Sequence, residues 1–185
     1  MSNDVITVLL VDDHAVVRYG LRAVLQAAPD ITVIGEARNG REAVDATMRL
    51  KPDVVVMDLS MDVMDGATAT KELQRLGTTA RILILTMHAE DEHLVRLLEA
   101  GASGYLLKRS SPAEVRRAIL DLRGGGAPMS AEIARRVVEA FHKPAHADGK
   151  AVVEGTQLTK RETEILDLLS SGLAKILAWY GALAM

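Results

Sequence analysis

The sequence predicts an α/β fold with a parallel five-stranded sheet, because five short apolar runs alternate with helical patterns. The runs are VITVLLV (5–11), ITVIGEA (31–37), VVVM (54–57), RILILTM (81–87) and GYLLK (104–108). Four of them are continuously apolar, which is typical of parallel strands covered on both faces. The second run alternates more and is expected at an edge. This alternation predicts a (βα)5 unit over residues 1–123.

The segments between these runs carry apolar residues at helical spacing. Such residues recur in the first, fourth and fifth segments, at Val17, Leu21, Val24 and Leu25, at Leu94, Leu97 and Leu98, and at Val115, Ile119 and Leu122. Gly101 can end the fourth helix. In the fifth, Ser111 is placed as the N-cap, Pro112 at the first helical position and Glu114 in a capping box.

Composition limits the class of protein. The chain has 185 residues, of which 49% are hydrophobic and 25% charged, so it can bury a sizeable core and is not expected to be disordered. It contains no cysteine, which excludes disulfides and thiolate metal sites and fits a reducing cytoplasm. No run approaches the roughly 18 apolar residues that span a membrane. The N-terminus lacks the basic region of a signal peptide. We therefore expect a cytoplasmic protein without a membrane partner.

The region after residue 123 divides into three parts. RGGGAP (123–128) is a flexible break, and SAEIARRVVEAFHK predicts a helix around 130–142. The stretch 144–155 is rich in Ala, Gly and charge, so 124–155 is predicted to be a linker that includes this helix. LTKRETEILDLLSSGLA offers Thr159 and Glu162 as a second capping box, so 156–185 is predicted to be a separate all-α segment.

Polar residues follow four of the predicted strands. Asp12 and Asp13 end the first, Asp58 the third, Thr86 the fourth and Lys108 the fifth. Right-handed crossovers make these strands neighbours, so their carboxyl ends are expected to converge where open parallel sheets bind ligands.

Such a cluster suits an oxygen-ligated cation beside a phosphoryl group. Three carboxylates repel one another unless a cation compensates them, and all-oxygen ligands suit Mg²⁺. A carboxylate can act as nucleophile, while a cation, an ammonium and a hydroxyl stabilise a transferred phosphoryl.

The segments VDDH, MDLSM…DG, LTM and GYLLK together resemble the receiver domain of two-component response regulators, over residues 5–123. The resemblance implies a flavodoxin-like fold of strand order 2-1-3-4-5. It also implies that Asp58 accepts a phosphoryl group from a histidine kinase. Asp12 and Asp13, with Asp58 and the backbone carbonyl of Ser60, then resemble the Mg²⁺ ligands. Thr86 and Lys108 resemble the phosphate-contacting pair, and Tyr105 resembles the aromatic switch residue that turns inward with Thr86.

Several nearby residues have other interpretations. Asp65, just before Gly66, is expected to cap the third helix, and Asp12 or Asp13 the first. Asp62 stands where the family usually carries Pro, so the loop gains a charge and loses a fixed φ. His14 and His88 flank the site, where a solvent-facing role is favoured over catalysis.

The C-terminal segments resemble the NarL/FixJ subfamily. LTKRETEILDLLSSGLA is similar to the opening of its LuxR-type helix-turn-helix, and SAEIARRVVEAF to its linker helix. The resemblance ends near Ala174, and the tail KILAWYGALAM has one Lys and lacks the polar residues that contact bases and phosphates. That tail can be read as a frameshift, a truncation or an interaction surface.

The resulting hypothesis is a response regulator that is phosphorylated on Asp58 and switches conformation to control transcription. The resemblance implies a homodimer on phosphorylation and promoter DNA as the partner of full-length relatives, whereas DNA binding by this chain is expected to be weak or absent. It also implies self-dephosphorylation rather than a dedicated enzyme. Two alternatives remain open: a phosphorylation-independent binding module, and an aspartyl-phosphate phosphatase of the haloacid dehalogenase type. The second is disfavoured because Ser60 stands where that class carries a second Asp.

Overall fold

The computed structural model describes residues 5–87 and 100–142, with side chains described as far as Val137. The chain divides into two compact units, Met1–Ala140 and Phe141–Met185. All described residues belong to the first unit except Phe141 and His142. The predicted fourth helix with His88, and the predicted segments from 143 to 185, lie outside the described residues.

Five parallel strands form one sheet, as the apolar runs predicted. They are β1 (Ile6–Val11), β2 (Ile31–Ala37), β3 (Val54–Asp58), β4 (Arg81–Thr86) and β5 (Gly104–Leu107). Their spatial order is β2-β1-β3-β4-β5, which confirms the predicted order 2-1-3-4-5 and places the alternating run at an edge. In the register, Val11 pairs with Met57, Asp58 with Leu85 and Thr86 with Leu107, so four strands end at about the same level.

The described helices are α1 (Ala15–Gln26), α2 (Gly40–Leu50), α3 (Gly66–Arg75), α4 (Pro112–Arg123) and α5 (Ala131–His142). The capping box at the start of α4 is present, with Ser111 and Glu114 in the expected roles. Asp65 caps α3 by accepting from the Thr68 N–H at 2.6 Å, as predicted. The expectation for α1 was wrong: His14 is its N-cap residue and makes no side-chain cap bond. Instead, Oδ1 of Asp12 accepts the His14 N–H at 2.9 Å.

Two apolar layers cover the sheet and hold its carboxyl ends in place. On one face, side chains of β1, β3 and β4 pack with those of α2, α3 and α5. On the other, the alternate residues of the same strands pack with those of α1 and α4. Each central strand is thus buried on both sides, which explains its continuous apolar sequence.

The segment before α5 continues the sheet beyond β5. The Tyr105 N–H donates to the Pro128 carbonyl at 2.9 Å, and the Ser130 N–H donates to the Tyr105 carbonyl at 3.1 Å. Ile133 of α5 is fully buried in the same cluster as Tyr105. The part of the predicted linker that the structure describes therefore packs against the sheet, while the domain boundaries 1–123, 124–155 and 156–185 remain predictions.

Among the described helices, none is both long and apolar enough to cross a lipid bilayer.

Candidate functional site

The candidate site lies at the carboxyl edge of the sheet and contains the polar residues predicted there. Asp12 follows β1, Asp58 ends β3, Thr86 ends β4 and Lys108 follows β5. Asp12, Asp58 and Thr86 are 2%, 3% and 5% exposed. Buried polar side chains are costly unless they are paired, so this cluster requires compensating contacts.

Lys108 provides that compensation. Its Nζ lies 2.7 Å from Oδ2 of Asp12 and 2.7 Å from Oδ2 of Asp58, and its side chain is only 9% exposed. The backbone fixes this position because the Lys108 N–H donates to the Thr86 carbonyl at 2.8 Å. The ammonium group of Lys108, which follows β5, therefore bridges the carboxylates at the ends of β1 and β3.

The pKa values of the pair follow from this arrangement. Burial raises the pKa of Asp58 above its ordinary value, and the hydrogen bond from Lys108 offsets only part of the rise. Burial alone would lower the pKa of Lys108, but its bonds to Asp12 and Asp58 outweigh that effect and raise it. Lys108 is therefore charged at neutral pH, and it is the cation that favours ionised carboxylates here.

The donor set of the pocket fits a hard divalent cation. Asp12, Asp13 and Asp58 each offer a carboxylate oxygen and His14 offers a ring nitrogen, and these atoms lie within 4.8 Å of one another. Nδ1 of His14 is 2.5 Å from Oδ1 of Asp13, so His14 contacts the acid pair although its side chain is 69% exposed. Lys108 supplies one full positive charge to these three carboxylates, so the pocket favours a further cation, and oxygen ligands are those that Mg²⁺ prefers.

Three further predicted residues have defined positions. The Ser60 N–H donates to Oδ1 of Asp58 at 3.3 Å, while the metal-binding role of its carbonyl stays a prediction. Tyr105 is buried in the middle of β5, and burial raises the pKa of its hydroxyl. Thr86 is buried next to Lys108 at the end of β4. The structure brings Asp12, Asp58 and Lys108 into direct contact.

The loop after Asp58 forms one wall of an open cavity of about 360 Å³, lined by Asp13, Leu59, Ser60, Met61, Asp62 and Asp65. The Met64 N–H donates to the Asp62 carbonyl at 2.7 Å, and Val63 between them has a φ of 67°. This is a γ-turn with a left-handed central residue, which is strained for a β-branched side chain. Asp62 is exposed in that turn.

The sequence reasoning missed two features of the site. One is Gly66, which approaches the Asp58 backbone closely. The other is Arg18, whose Nη1 donates to the Asp12 carbonyl at 2.7 Å. The signal for Arg18 in the sequence was its place in DDHAVVR, five residues after Asp13 and within the helix that follows the acid pair.

A parallel sheet of order 2-1-3-4-5 with an acidic pocket at its carboxyl edge defines a flavodoxin-like receiver fold. Residues 8–120 match the family described as response regulator receiver domain. The chain belongs to this family, and its relatives place it among the NarL/LuxR-type response regulators.

The relatives share most of their length with this chain. Transcriptional regulatory protein LiaR of Bacillus subtilis (strain 168) is 42% identical over 167 residues, which are 90% of this chain and 77% of LiaR. A LuxR-family two-component response regulator from Aurantimonas sp. SI85-9A1 superposes with a TM-score of 0.70 at 38% identity, covering 75% of this chain and 99% of that one. The isolated receiver domain of RcsB from Salmonella enterica serovar Typhimurium, solved in the presence of phosphomimetic BeF3⁻, gives a TM-score of 0.65 at 26% identity, covering 72% and 99%.

Proposed function

We propose that this protein accepts a phosphoryl group on Asp58 from the phosphohistidine of a cognate histidine kinase, with Mg²⁺ as cofactor. The observation that carries the proposal is the position of Lys108 Nζ, 2.7 Å from both Asp12 and Asp58. Lys108 stabilises the buried carboxylates, and it also places an ammonium group beside the Asp58 oxygen that would receive a phosphoryl group. A carboxylate that must bind a phosphoryl group needs a cation beside it.

The chemistry follows from the side chains. A carboxylate oxygen of Asp58 attacks the phosphorus, the phosphorus–nitrogen bond of the donor breaks, and the imidazole leaves with the electron pair. Lys108 then contacts a phosphoryl oxygen in place of the Asp58 oxygen. The hydroxyl of Thr86, which ends the strand next to β3, would donate to another phosphoryl oxygen. Mg²⁺ held by Asp12, Asp13, Asp58 and the Ser60 carbonyl would neutralise charge that develops on the transferred group.

We propose that the output is a conformational switch that regulates transcription. Thr86 and Tyr105 lie on adjacent strands, where Ile84 pairs with Tyr105 and Thr86 with Leu107. A shift of Thr86 toward a phosphoryl group opens space toward which Tyr105 can turn. Phosphorylation would then change the populations of two states and favour a homodimer. Promoter DNA is the partner proposed for the NarL/LuxR class, since LiaR is itself described as a transcriptional regulatory protein.

The test is intact-mass spectrometry before and after incubation with acetyl phosphate and Mg²⁺. The expected result is a gain of one phosphoryl group by the wild type and none by Asp58→Asn. Asp45→Asn is the matched control, because Asp45 is an exposed acid on α2 away from the pocket. Absence of any gain in the wild type, with acetyl phosphate and with a set of histidine kinases, would contradict the proposal and favour a phosphorylation-independent module.

A further inference from the structure

Arg18 links the acid pair to the neighbouring strand. Besides its bond to the Asp12 carbonyl, its Nε lies 3.2 Å from Oε2 of Glu36 in β2. The other oxygen of Glu36 accepts from Nη1 of Arg22 at 2.7 Å. The Arg18 side chain is 11% exposed, whereas that of Arg22 is 42% exposed. The Arg18 guanidinium is therefore held between two fixed acceptors and largely removed from water.

The place of Arg18 in α1 is unfavourable for the helix itself. It lies in the first turn, where the helix dipole disfavours a cation. That turn contains no acidic residue, and its N-cap makes no side-chain bond. Helix stability therefore does not account for an arginine here, but the contact with Asp12 does.

Asp12 is held at every polar atom. Its N–H donates to the Ala37 carbonyl at 3.2 Å. Oδ1 accepts from the His14 N–H, and Oδ2 from Lys108. Arg18 holds the remaining atom, the carbonyl oxygen. That carbonyl belongs to the peptide unit that joins Asp12 to Asp13, so its direction sets where the chain presents Asp13.

We propose that Arg18 is a positioning residue for Asp12 and Asp13, which fixes the peptide unit between them so that both carboxylates face the cation. The hydrogen bond from Nε of Arg18 to Glu36 orients the Arg18 guanidinium toward the Asp12 carbonyl. The bonds from Arg22 and Arg18 lower the pKa of the Glu36 carboxyl, so Glu36 is ionised at neutral pH. This inference rests on the cation site of the proposed function.

The direction in which Mg²⁺ affinity changes when Arg18 is removed distinguishes a positioning role of Arg18 from a purely electrostatic one. If Arg18 acted only as a nearby positive charge, its removal would tighten cation binding, because like charges repel. If Arg18 positions the acid pair, its removal weakens binding, because the two carboxylates no longer converge. Loss of groups that orient metal ligands typically costs about 10- to 100-fold in affinity.

The experiment is a calorimetric titration of the unphosphorylated full chain with Mg²⁺ alone. For Arg18→Met we expect a dissociation constant about tenfold higher than that of the wild type. Arg22→Met is the matched control, since Arg22 is on the same helix and bonds to Glu36 but not to Asp12. We expect it to stay within about twofold of the wild type. Arg18→Lys keeps the charge but not the planar fork, so it should regain part of the affinity.

Unchanged or tighter Mg²⁺ binding by Arg18→Met would overturn the proposal, and so would a wild type that binds no Mg²⁺. If Arg18→Met fails to fold by circular dichroism, Arg18→Lys and Glu36→Gln decide, and equal affinity to the wild type in both overturns it. The intact-mass test of Asp58 needs no variant of Arg18. Failure of the proposed function therefore appears as a wild type that gains no phosphoryl group. Failure of this inference appears in the Mg²⁺ titrations, and a wild type that binds Mg²⁺ while its Arg18 and Glu36 variants bind it equally well overturns the inference alone.

Discussion

Gly66, the first residue of α3, touches the backbone of Asp58 at the end of β3. A Cβ atom at Gly66 would stand 2.3 Å from the Asp58 carbonyl oxygen, which no side chain can accept without a backbone shift. The Gly66 N–H also donates to the Leu59 carbonyl at 2.8 Å, so the loop between them closes on itself. The backbone of Asp58, the candidate phosphoacceptor, can therefore keep its position only because residue 66 is a glycine without a side chain.

Gly66→Ala is therefore expected to lower the free energy of unfolding by about 2 kcal/mol, within the usual cost of overpacking. It should also slow phosphorylation, because Asp58 moves. Urea denaturation and the intact-mass assay measure the two effects. Gly20→Ala is the control: nothing lies within 4 Å of its new Cβ, and the site is inside α1. That variant should gain about 0.5–1 kcal/mol. Equal behaviour of the two variants would contradict the close approach.

The γ-turn at Val63 leads to a second prediction. Val63 has a φ of 67°, which is strained for a β-branched residue, and it is 86% exposed, so its side chain does not contribute to the core. Val63→Gly should raise the free energy of unfolding by about 0.5 kcal/mol, because relief of about 1–2 kcal/mol of strain exceeds the entropy lost by Gly. Val63→Ala keeps the Cβ and should change stability less. A destabilised Val63→Gly, measured by urea denaturation, would show that the turn is not strained.

Lys108 gives a third prediction. Lys108→Met leaves Asp12 and Asp58 buried without their shared cation, so we expect a loss of about 3 kcal/mol at neutral pH without metal. Denaturant unfolding of the variant and the wild type measures this loss. Lys71→Met, at an exposed position on α3, is the control and should lie within about 0.5 kcal/mol of the wild type. A Lys108→Met variant as stable as the wild type would mean that the ion pair does not compensate the two carboxylates.

Asp53 leads to a prediction about pH. Burial alone would raise its pKa, but hydrogen bonds from the Thr7 hydroxyl and N–H, both 2.7 Å, outweigh that effect and lower it, with a contribution from Arg123. A pKa that is lower in the folded state contributes stability above the unfolded pKa of about 3.9, and this is lost as the pH falls through the folded pKa.

Asp53→Asn should therefore be less stable than the wild type at neutral pH, by about 0.5 kcal/mol after allowance for solvent screening at this exposed site. The gap should close in acid. Unfolding free energies at pH 7 and at about pH 3 measure it. Asp45→Asn serves as the comparison, and a gap for Asp53→Asn that persists at low pH would refute the assignment.

The strands and the carboxyl-edge residues could be predicted because each depends on local pattern and on topology alone. The run VVVM is apolar throughout because β3 is buried on both faces. Asp58 and Thr86 reach the pocket because they end adjacent parallel strands. Right-handed crossovers then place the ends of β1 and β5 at the same edge.

The features that sequence could not predict depend on distances across the fold. The bond of Arg18 to the Asp12 carbonyl requires the rotation of α1 about its axis, and the close approach of Gly66 requires the path of the loop. The prediction that Asp12 or Asp13 caps α1 was wrong for the same reason, since the cap depends on the path of the turn before the helix. Asp12 has cap chemistry, but the turn directs its carboxylate to Lys108 and to the His14 N–H.

The burial of Ile133 leads to the last prediction. The pattern of α5 showed an apolar face, but not which surface covers it. In the structure Ile133 is 0% exposed and packs in the cluster that contains Tyr105 and Leu107. Just before α5, the Pro128 carbonyl accepts a hydrogen bond from the Tyr105 N–H, and the Ser130 N–H donates one to the Tyr105 carbonyl. Residues assigned to a linker by their sequence thus complete the packing around the proposed switch residue.

Ile133→Ala is expected to lower the free energy of unfolding of the sheet domain by about 2–4 kcal/mol, since a fully buried large-to-small change leaves a cavity. Val16→Ala, at a position that is 84% exposed, should change it by less than about 0.5 kcal/mol. Urea denaturation followed by circular dichroism measures both. If Ile133→Ala were as stable as the wild type, α5 would be an independent connector, and a domain boundary at residue 123 would be favoured. A large loss of unfolding free energy means that α5 folds together with the sheet. A movement of Tyr105 on phosphorylation would then act directly on α5, because Ile133 of that helix packs in the same cluster as Tyr105.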